Sequence, residues 1–197
     1  MRQGHRMVES SYFVTPDSEP RWLYHNLSIA LDESRDLVSG QPGGLARFFD
    51  ELGVNSGDRV LHIGAGIGYV SAVLAEIVGA TGSVVATEAD QELAARAREN
   101  LTLYPHVQLH EGAGLPEDLG PFDVIFVNAG VTHLQTAWLD LLADGGRLMA
   151  ALTIAGKPTM GMGFMVLVTR NGEAFAMKSG RPAMIYSAVG LRDPALE

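Results

Sequence analysis

Hydrophobic and polar positions along this chain keep two rhythms in turn, one of period 3.6 and one of short apolar runs. Leu45, Phe48, Phe49 and Leu52 recur at helical spacing, and Gly53 follows as a C-cap. Arg59–Ile63 reads as a short buried strand that ends in a glycine-rich turn. Tyr69–Val78 is then a helix with Val70, Val73, Leu74 and Ile77 on one face, stopped at Gly79. Ser83–Thr87 is β-branched and strand-like. Asp90 caps a helix that carries Leu93, Ala94, Ala97 and Leu101. Val107–His110 and Asp123–Asn128 are two further short strands. A helix-like stretch, Leu134–Leu142, leads through Asp144-Gly145-Gly146 to a fifth strand at Arg147–Thr153. Beyond it, Phe164–Arg170 and Glu173–Lys178 flank Asn171-Gly172, a strong hairpin signal, with one more strand expected through Met184–Val189.

Strands alternating with helices imply βαβ units and a parallel sheet, and the terminal hairpin adds antiparallel strands at its edge. The expected fold class is therefore α/β: a Rossmann-like, mostly parallel, doubly wound sheet with a C-terminal antiparallel hairpin. A single domain over 1–197 is expected, in three parts. Residues 1–42 are irregular and punctuated by Pro16, Pro20 and Pro42, residues 43–153 are the α/β core, and residues 154–197 are the hairpin region.

Composition narrows the partners. Of 197 residues, 47% are hydrophobic and 19% charged, enough for a sizeable core and unlike a disordered chain. The formal net charge of -9 repels phosphate backbones and anionic lipid, so neither nucleic acid nor membrane is the expected partner. There is no cysteine, which excludes disulfides, zinc–thiolate sites and cysteine nucleophiles, and no metal site is expected. No apolar run approaches the roughly 18 residues of a membrane span, and the N-terminus lacks the apolar stretch of a secretory signal, so a cytoplasmic protein is expected.

The chemistry concentrates in Val60-Leu61-His62-Ile63-Gly64-Ala65-Gly66-Ile67-Gly68-Tyr69. A buried strand delivers a turn with three glycines, and a helix starts at once. Such a turn lets backbone approach a ligand and presents unpaired amides at the helix start. Glu88 follows Gly68 at the end of the next strand, where doubly wound folds place the carboxylate that accepts both ribose hydroxyls of an adenosine. The dinucleotide fingerprint Gly-x-Gly-x-x-Gly would need its third glycine at position 69, which is Tyr69. Short-chain dehydrogenases need Tyr with Lys four residues on. Here Tyr12, Tyr24, Tyr69, Tyr104 and Tyr186 are followed at that spacing by Pro16, Ser28, Val73, Gln108 and Gly190. The methyl donor S-adenosyl-L-methionine is therefore the expected cofactor. An NAD(P)-dependent oxidoreductase and a non-catalytic cofactor-binding module remain alternatives.

The stretch QPGGLARFFDELGVNSGDRVLHIGAGIGYVSAVLAEIVG resembles protein-L-isoaspartate O-methyltransferases. The likeness continues through ATEADQELAARARENL, GPFDVIFVNAG and LLADGGRLMAAL, and more weakly to PAMIYSAVG. The resemblance implies a class I methyltransferase whose Gly64, Ala65, Gly66 and Gly68 line the methionine part of the donor. It implies that Glu88 and Ala89 hold the ribose, that Glu111-Gly112 lies beside the adenine amino group, and that Asn128 ends the strand where the acceptor sits. In the family, position 62 is Asp or Glu; here it is His62. An imidazolium there would repel the cationic donor, so donor affinity is expected to fall as pH drops through the His62 titration, a loss absent in His62→Gln.

The acceptor half departs further. The family's Thr-Ile-Ser before Gln-Pro reads Val38-Ser39-Gly40 before Gln41-Pro42, so Ser39 is displaced by one position. Methyl transfer from a sulfonium is an in-line displacement, in which the protein holds the reacting atoms about 3–3.5 Å apart. A carboxylate acceptor is ionised at neutral pH and needs no base, whereas a hydroxyl or ammonium acceptor does. The leading expectation is O-methylation of a carboxylate on a peptide or small molecule. The alternative is a small-molecule O- or N-methyltransferase with His133 or His25 as base. The aromatic residues Tyr12, Trp22 and Tyr24 suggest that residues 1–42 form an acceptor or lid segment.

Overall fold

The computed structural model describes residues 7–8, 12–13, 25–28, 30–35, 37–155 and 159–197. Trp22 and Tyr24 lie outside the described residues, and of Tyr12 only the backbone is described. The chain forms two compact units, Met1–Gly53 and Val54–Glu197.

The first unit holds two short antiparallel pairs, β1 (Met7–Val8) with β2 (Tyr12–Phe13) and β3 (Ala30–Asp32) with β4 (Leu37–Val38). The turn between β3 and β4 is organised by Asp32, whose carboxylate accepts from the Ser34 amide at 2.9 Å and from Arg35 Nε at 2.6 Å. Hydrogen bonds from Ser34 and Arg35 hold its pKa down at about 2. Helix α1 (Pro42–Leu52) starts on a proline, whose missing N–H costs nothing at that position, and ends at Gly53 in left-handed conformation (φ 62). It buries Leu45, Phe49 and Leu52. This helix clusters with the N-terminal residues, whereas the sequence reading put it in the core that starts at residue 43.

The second unit runs β5 (Arg59–Ile63), α2 (Tyr69–Val78), β6 (Ser83–Glu88), α3 (Gln91–Asn100), β7 (Val107–Glu111), β8 (Phe122–Val131), α4 (Thr136–Asp140), β9 (Leu142–Ala155), β10 (Met160–Asn171) and β11 (Ala174–Tyr186). These strands make one seven-stranded sheet in the order β11-β10-β9-β8-β5-β6-β7. β5 to β9 are parallel, and β10 and β11 are antiparallel additions. The α/β class and the terminal antiparallel strands match the sequence reading. Strand order reverses between β5 and β8, since β6 and β7 extend one way and β8 and β9 the other. Open α/β sheets bind ligands in the crevice beyond the carboxyl ends of their strands at such a switch point.

Alternation in the strands divides the core. Leu61, Ile63, Ile125, Val127, Leu148, Ala150, Val166 and Val168 pack on one face with Trp138 of α4. His62 and Phe126 lie on the other face, where Ser71 of α2 meets His62. Each fully buried aliphatic side chain contributes roughly 1.5–3 kcal/mol.

β7 and β8 follow one another with no helix between them, and four features differ from the sequence reading. The helix expected over Leu134–Leu142 contracts to the five residues of α4, because Leu142 is the first residue of β9. That strand starts before the Asp144-Gly145-Gly146 segment, which loops out between the pairs Phe122 with Leu142 and Val124 with Arg147. The hairpin turn is Gly172-Glu173 rather than Asn171-Gly172, because Asn171 pairs with Ala174. Gly172 at φ 61 is the first of the two central residues, as a type II′ turn requires. Of the strand expected through Met184–Val189, only Met184–Tyr186 is strand, and it is the end of β11, which is continuous across a bulge opposite Phe164 and Val166.

Candidate functional site

At the switch point, the turn after β5 is clipped to the end of β6. Gly64 and Ala65 both donate their amides to the Thr87 carbonyl at 3.0 Å, and the Gly68 amide closes back on the Ala65 carbonyl at 2.9 Å. Gly64, Gly66 and Gly68 all have positive φ (85, 58 and 87), a region closed to most side chains. A Cβ at Gly64 would lie 3.3 Å from the Asn128 carbonyl oxygen, and one at Gly68 would lie 3.0 Å from Leu101 Cγ. The glycines thus let β8 and α3 close on the turn.

Glu88 joins the parts. Its Oε2 accepts from the Gly66 amide at 2.6 Å and its Oε1 from the Asp90 amide at 2.9 Å, while its carbonyl accepts from Gly112 at 2.7 Å. Burial raises its pKa; the Asp90 and Gly66 hydrogen bonds pull it back. A carboxylate offers about four lone-pair sites, so two backbone amides leave one on each oxygen. That is the acceptor pair a ribose diol needs. The residues present therefore fit the adenosine end of S-adenosyl-L-methionine.

Ala89, between Glu88 and Asp90, is half-buried. Asn128, in the last third of β8, reaches the Gly64 carbonyl with its Nδ2 at 3.5 Å, a long contact. Glu111 ends β7 in register with Glu88, and its carboxylate lies 3.6 Å from Arg98. Gly112 follows at φ 125, with open space where a Cβ would point.

His62 is placed differently from the expectation. It is fully buried, stacked on Phe126 at 5.8 Å, with Nδ1 2.8 Å from Ser71 Oγ and Nε2 without a partner. Burial lowers its pKa to about 3. The expected pH dependence of donor binding is corrected accordingly: the ring stays neutral far below the range in which a free imidazole titrates.

Of the acceptor-side residues, His133 has both ring nitrogens engaged, Nδ1 with Thr132 Oγ1 at 3.0 Å and Nε2 with Gln135 Nε2 at 3.1 Å. An amide nitrogen only donates, so Nε2 accepts and the ring proton sits on Nδ1, facing the hydroxyl. That leaves no ring nitrogen free to act as a base. Ser39 and His25 belong to the first unit, where Ser39 donates to the Gly40 carbonyl at 3.0 Å and His25 is exposed.

Two features escaped the sequence. Asn100, at the end of α3, donates to the Ile67 carbonyl at 2.8 Å and fixes the far side of the turn. Arg192 is a clasp: it donates to the Gly130 carbonyl (2.8 Å), Thr153 Oγ1 (2.8 Å) and the Thr153 carbonyl (3.0 Å), and pairs with Glu197 at 2.7 Å. The Asp193 amide adds a bond to Thr132 Oγ1 at 2.9 Å, so the segment after β11 is tied to the end of β8.

A parallel sheet with its switch point at a triple-glycine turn, and a buried acid at the end of the next strand, defines a Rossmann-like methyltransferase fold. The match to the family model described as protein-L-isoaspartate(D-aspartate) O-methyltransferase spans residues 5–184. The chain belongs to that family, whose members are S-adenosyl-L-methionine-dependent methyltransferases. It is 37% identical over 182 residues to the protein-L-isoaspartate O-methyltransferase of Rhodopseudomonas palustris, covering 90% of this chain and 79% of that one. It is 32% identical over 180 residues to the Thermotoga maritima enzyme of the same name, covering 88% of this chain and 53% of that one. This chain therefore spans about half the length of the Thermotoga relative. A solved protein-L-isoaspartate O-methyltransferase superimposes with a TM-score of 0.77 at 28% identity, over 90% of this chain and 57% of the other. A Plasmodium falciparum structure, solved with S-adenosyl-L-homocysteine, superimposes with a TM-score of 0.66 over 83% of this chain and 80% of the other. At 18% identity it speaks to the fold alone.

Proposed function

We propose that this chain binds S-adenosyl-L-methionine at the turn Gly64–Gly68 and directs methyl transfer to a carboxylate on a peptide. The observation that carries this reading is Glu88, held by the Gly66 and Asp90 amides with one acceptor site left on each oxygen. Glu88 would hold the ribose, the glycine turn would admit the methionine portion, and Gly112 would leave room for the adenine. The donor supplies an electrophilic methyl group on its sulfonium.

A carboxylate acceptor suits the rim of β8 because it needs no general base. Both nitrogens of His133 are occupied, which supports this reading over one in which His133 removes a proton. Family membership supports an isoaspartyl peptide as the acceptor, although Val38-Ser39-Gly40 stands where the family carries Thr-Ile-Ser.

The test is transfer of labelled methyl from the donor to an isoaspartyl peptide, with the matching aspartyl peptide as control. The account expects label in the isoaspartyl peptide that is released as methanol at mildly alkaline pH, as a carboxyl ester is. Incorporation that survives base would overturn the carboxylate assignment. Equal labelling of the two peptides would overturn the isoaspartyl preference.

A further inference from the structure

We propose that Arg192 is a carboxylate subsite on the acceptor side, where it holds an acidic side chain of the peptide beside the carboxylate that is methylated. Glu197 fills this subsite until a peptide displaces it. The inference rests on the reading of the acceptor as a peptide carboxylate. The family match ends at residue 184, so Arg192 lies past the part of the chain that the family model covers.

The guanidinium is pinned before any ligand arrives. Its two Nη1 hydrogens go to the Gly130 carbonyl and to Thr153 Oγ1, and Nη2 gives one to the Thr153 carbonyl. Glycines at 130 and 161 make room for this anchor, since a Cβ at either would overlap the Thr153 hydroxyl. Nε donates to Glu197 Oε1 at 2.7 Å. An arginine has five N–H donors, so the second Nη2 hydrogen is left without a partner among the described residues. Nε and Nη2 share one edge of the fork, and such an edge takes a carboxylate by both oxygens. Arg192 is 12% exposed and Glu197 30%, so the glutamate stands on the solvent side of that edge.

Position makes this an acceptor subsite. Gly130 is two residues past Asn128 on β8, about 7 Å along a strand. The backbone that carries Arg192 follows the same rim, where Ala188 donates to the Gly130 carbonyl at 2.9 Å and Asp193 to Thr132 Oγ1 at 2.9 Å. Gly190 lies against Ala113, the residue after Gly112, with 3.4 Å between a Cβ placed on it and the Ala113 Cβ. The segment therefore runs from the loop after β7 to the end of β8, and it brings a fixed cation to the strand end proposed to receive the acceptor.

Charge makes it a subsite for an acid. A chain with a net charge of -9 repels an acidic peptide at long range, and a pinned guanidinium offsets that repulsion locally. Glu197 competes because it is tethered five residues along the chain, at an effective concentration on the order of millimolar. A partly exposed pair is weak, so a peptide carboxylate that takes both tines of the fork can replace it.

The test measures labelled methyl transfer by the full chain to an isoaspartyl peptide with Gln on both sides of the isoaspartate, and to versions with Glu at one position or the other. Wild type is expected to favour a Glu version over the Gln parent through a lower KM at similar kcat. Glu197→Gln is expected to raise that preference roughly two- to fivefold, the weight of a partly exposed ion pair. Arg192→Met, checked for native circular dichroism and for binding of S-adenosylhomocysteine, is expected to erase it. A preference indifferent to Glu197→Gln would overturn the proposal even if Arg192→Met fails to fold, and so would a preference that survives Arg192→Met. A gain in Glu197→Gln shared equally by Glu and Gln peptides would overturn it too, since Glu197 would then be a plain lid. Label in the Gln parent with no preference in any protein sinks this inference and leaves the peptide-carboxylate reading standing. No label in any peptide from any of the proteins sinks that reading, and this inference with it.

Discussion

Glu88 holds the site together through one side chain, because its two oxygens take the Gly66 and Asp90 amides from either side. Glu88→Gln keeps the volume but must turn its NH₂ group toward one of those amides, donor against donor, and offers one acceptor oxygen where there were two. With hydrogen bonds to a charged group contributing about 1.5–3 kcal/mol, binding of S-adenosylhomocysteine is expected to weaken roughly 10- to 100-fold by calorimetry. An unchanged affinity would remove Glu88 from the site.

His62 gives a second prediction of the opposite kind, in stability and not in binding. Its pKa is about 3 folded against 6.5 in the unfolded chain, so below pH 6.5 the unfolded state takes up a proton that the folded state refuses. Stability therefore falls with pH from 6.5 toward 3, its slope approaching about 1.4 kcal/mol per pH unit. Glu88, raised by burial, contributes with the opposite sign, so the His62 share is read as the difference in slope between wild type and His62→Gln in denaturant titrations. Parallel slopes would contradict the buried, neutral ring.

Residues of this kind were unequally legible. Glycines at 64, 66 and 68 and the acid at 88 announce themselves by spacing, because a tight turn and a strand end leave few other choices. The environment of His62 does not, since the residue code carries no sign of Phe126 beside it or of α2 above.

At the scale of elements, β5 and α2 have the bounds that hydrophobic periodicity gave them, and β6 is longer by one residue. Most of their buried positions are apolar and their ends are marked by Gly64, Gly79 and Asp90. The stretch after β8 misleads because Trp138 and Leu142 have helical spacing while serving a helix and a strand in turn, both reaching the same core. The Arg192 clasp was illegible for another reason: two of its four partners are backbone carbonyls, which every sequence has.

Two predictions belong here. Gly68→Ala places a Cβ at 3.0 Å from Leu101 with φ at 87, and is expected to cost about 1–3 kcal/mol in chemical denaturation. Arg192→Ala strips the bonds that join Gly130 to Thr153, which is 4% exposed, and is expected to cost about 2 kcal/mol. Arg192→Met, which keeps the packing, should recover only part of it. Full recovery would show that the clasp acts by volume alone.

Over the whole molecule, alternating strands and helices implied a parallel sheet with an antiparallel edge, but not the order β11-β10-β9-β8-β5-β6-β7, which depends on contacts far apart in sequence. That order brings Gly64 to Asn128 and Glu88 to Gly112, and so turns four separate segments into one site. The central claim is that this site is built for an adenosyl sulfonium compound. Titration calorimetry of the full chain with S-adenosylhomocysteine, beside NADH and NADPH, tests it most directly. The account predicts saturable one-to-one binding of S-adenosylhomocysteine, weakened in Glu88→Gln, and no heat from either nicotinamide. Binding of NADPH with none of S-adenosylhomocysteine would contradict it.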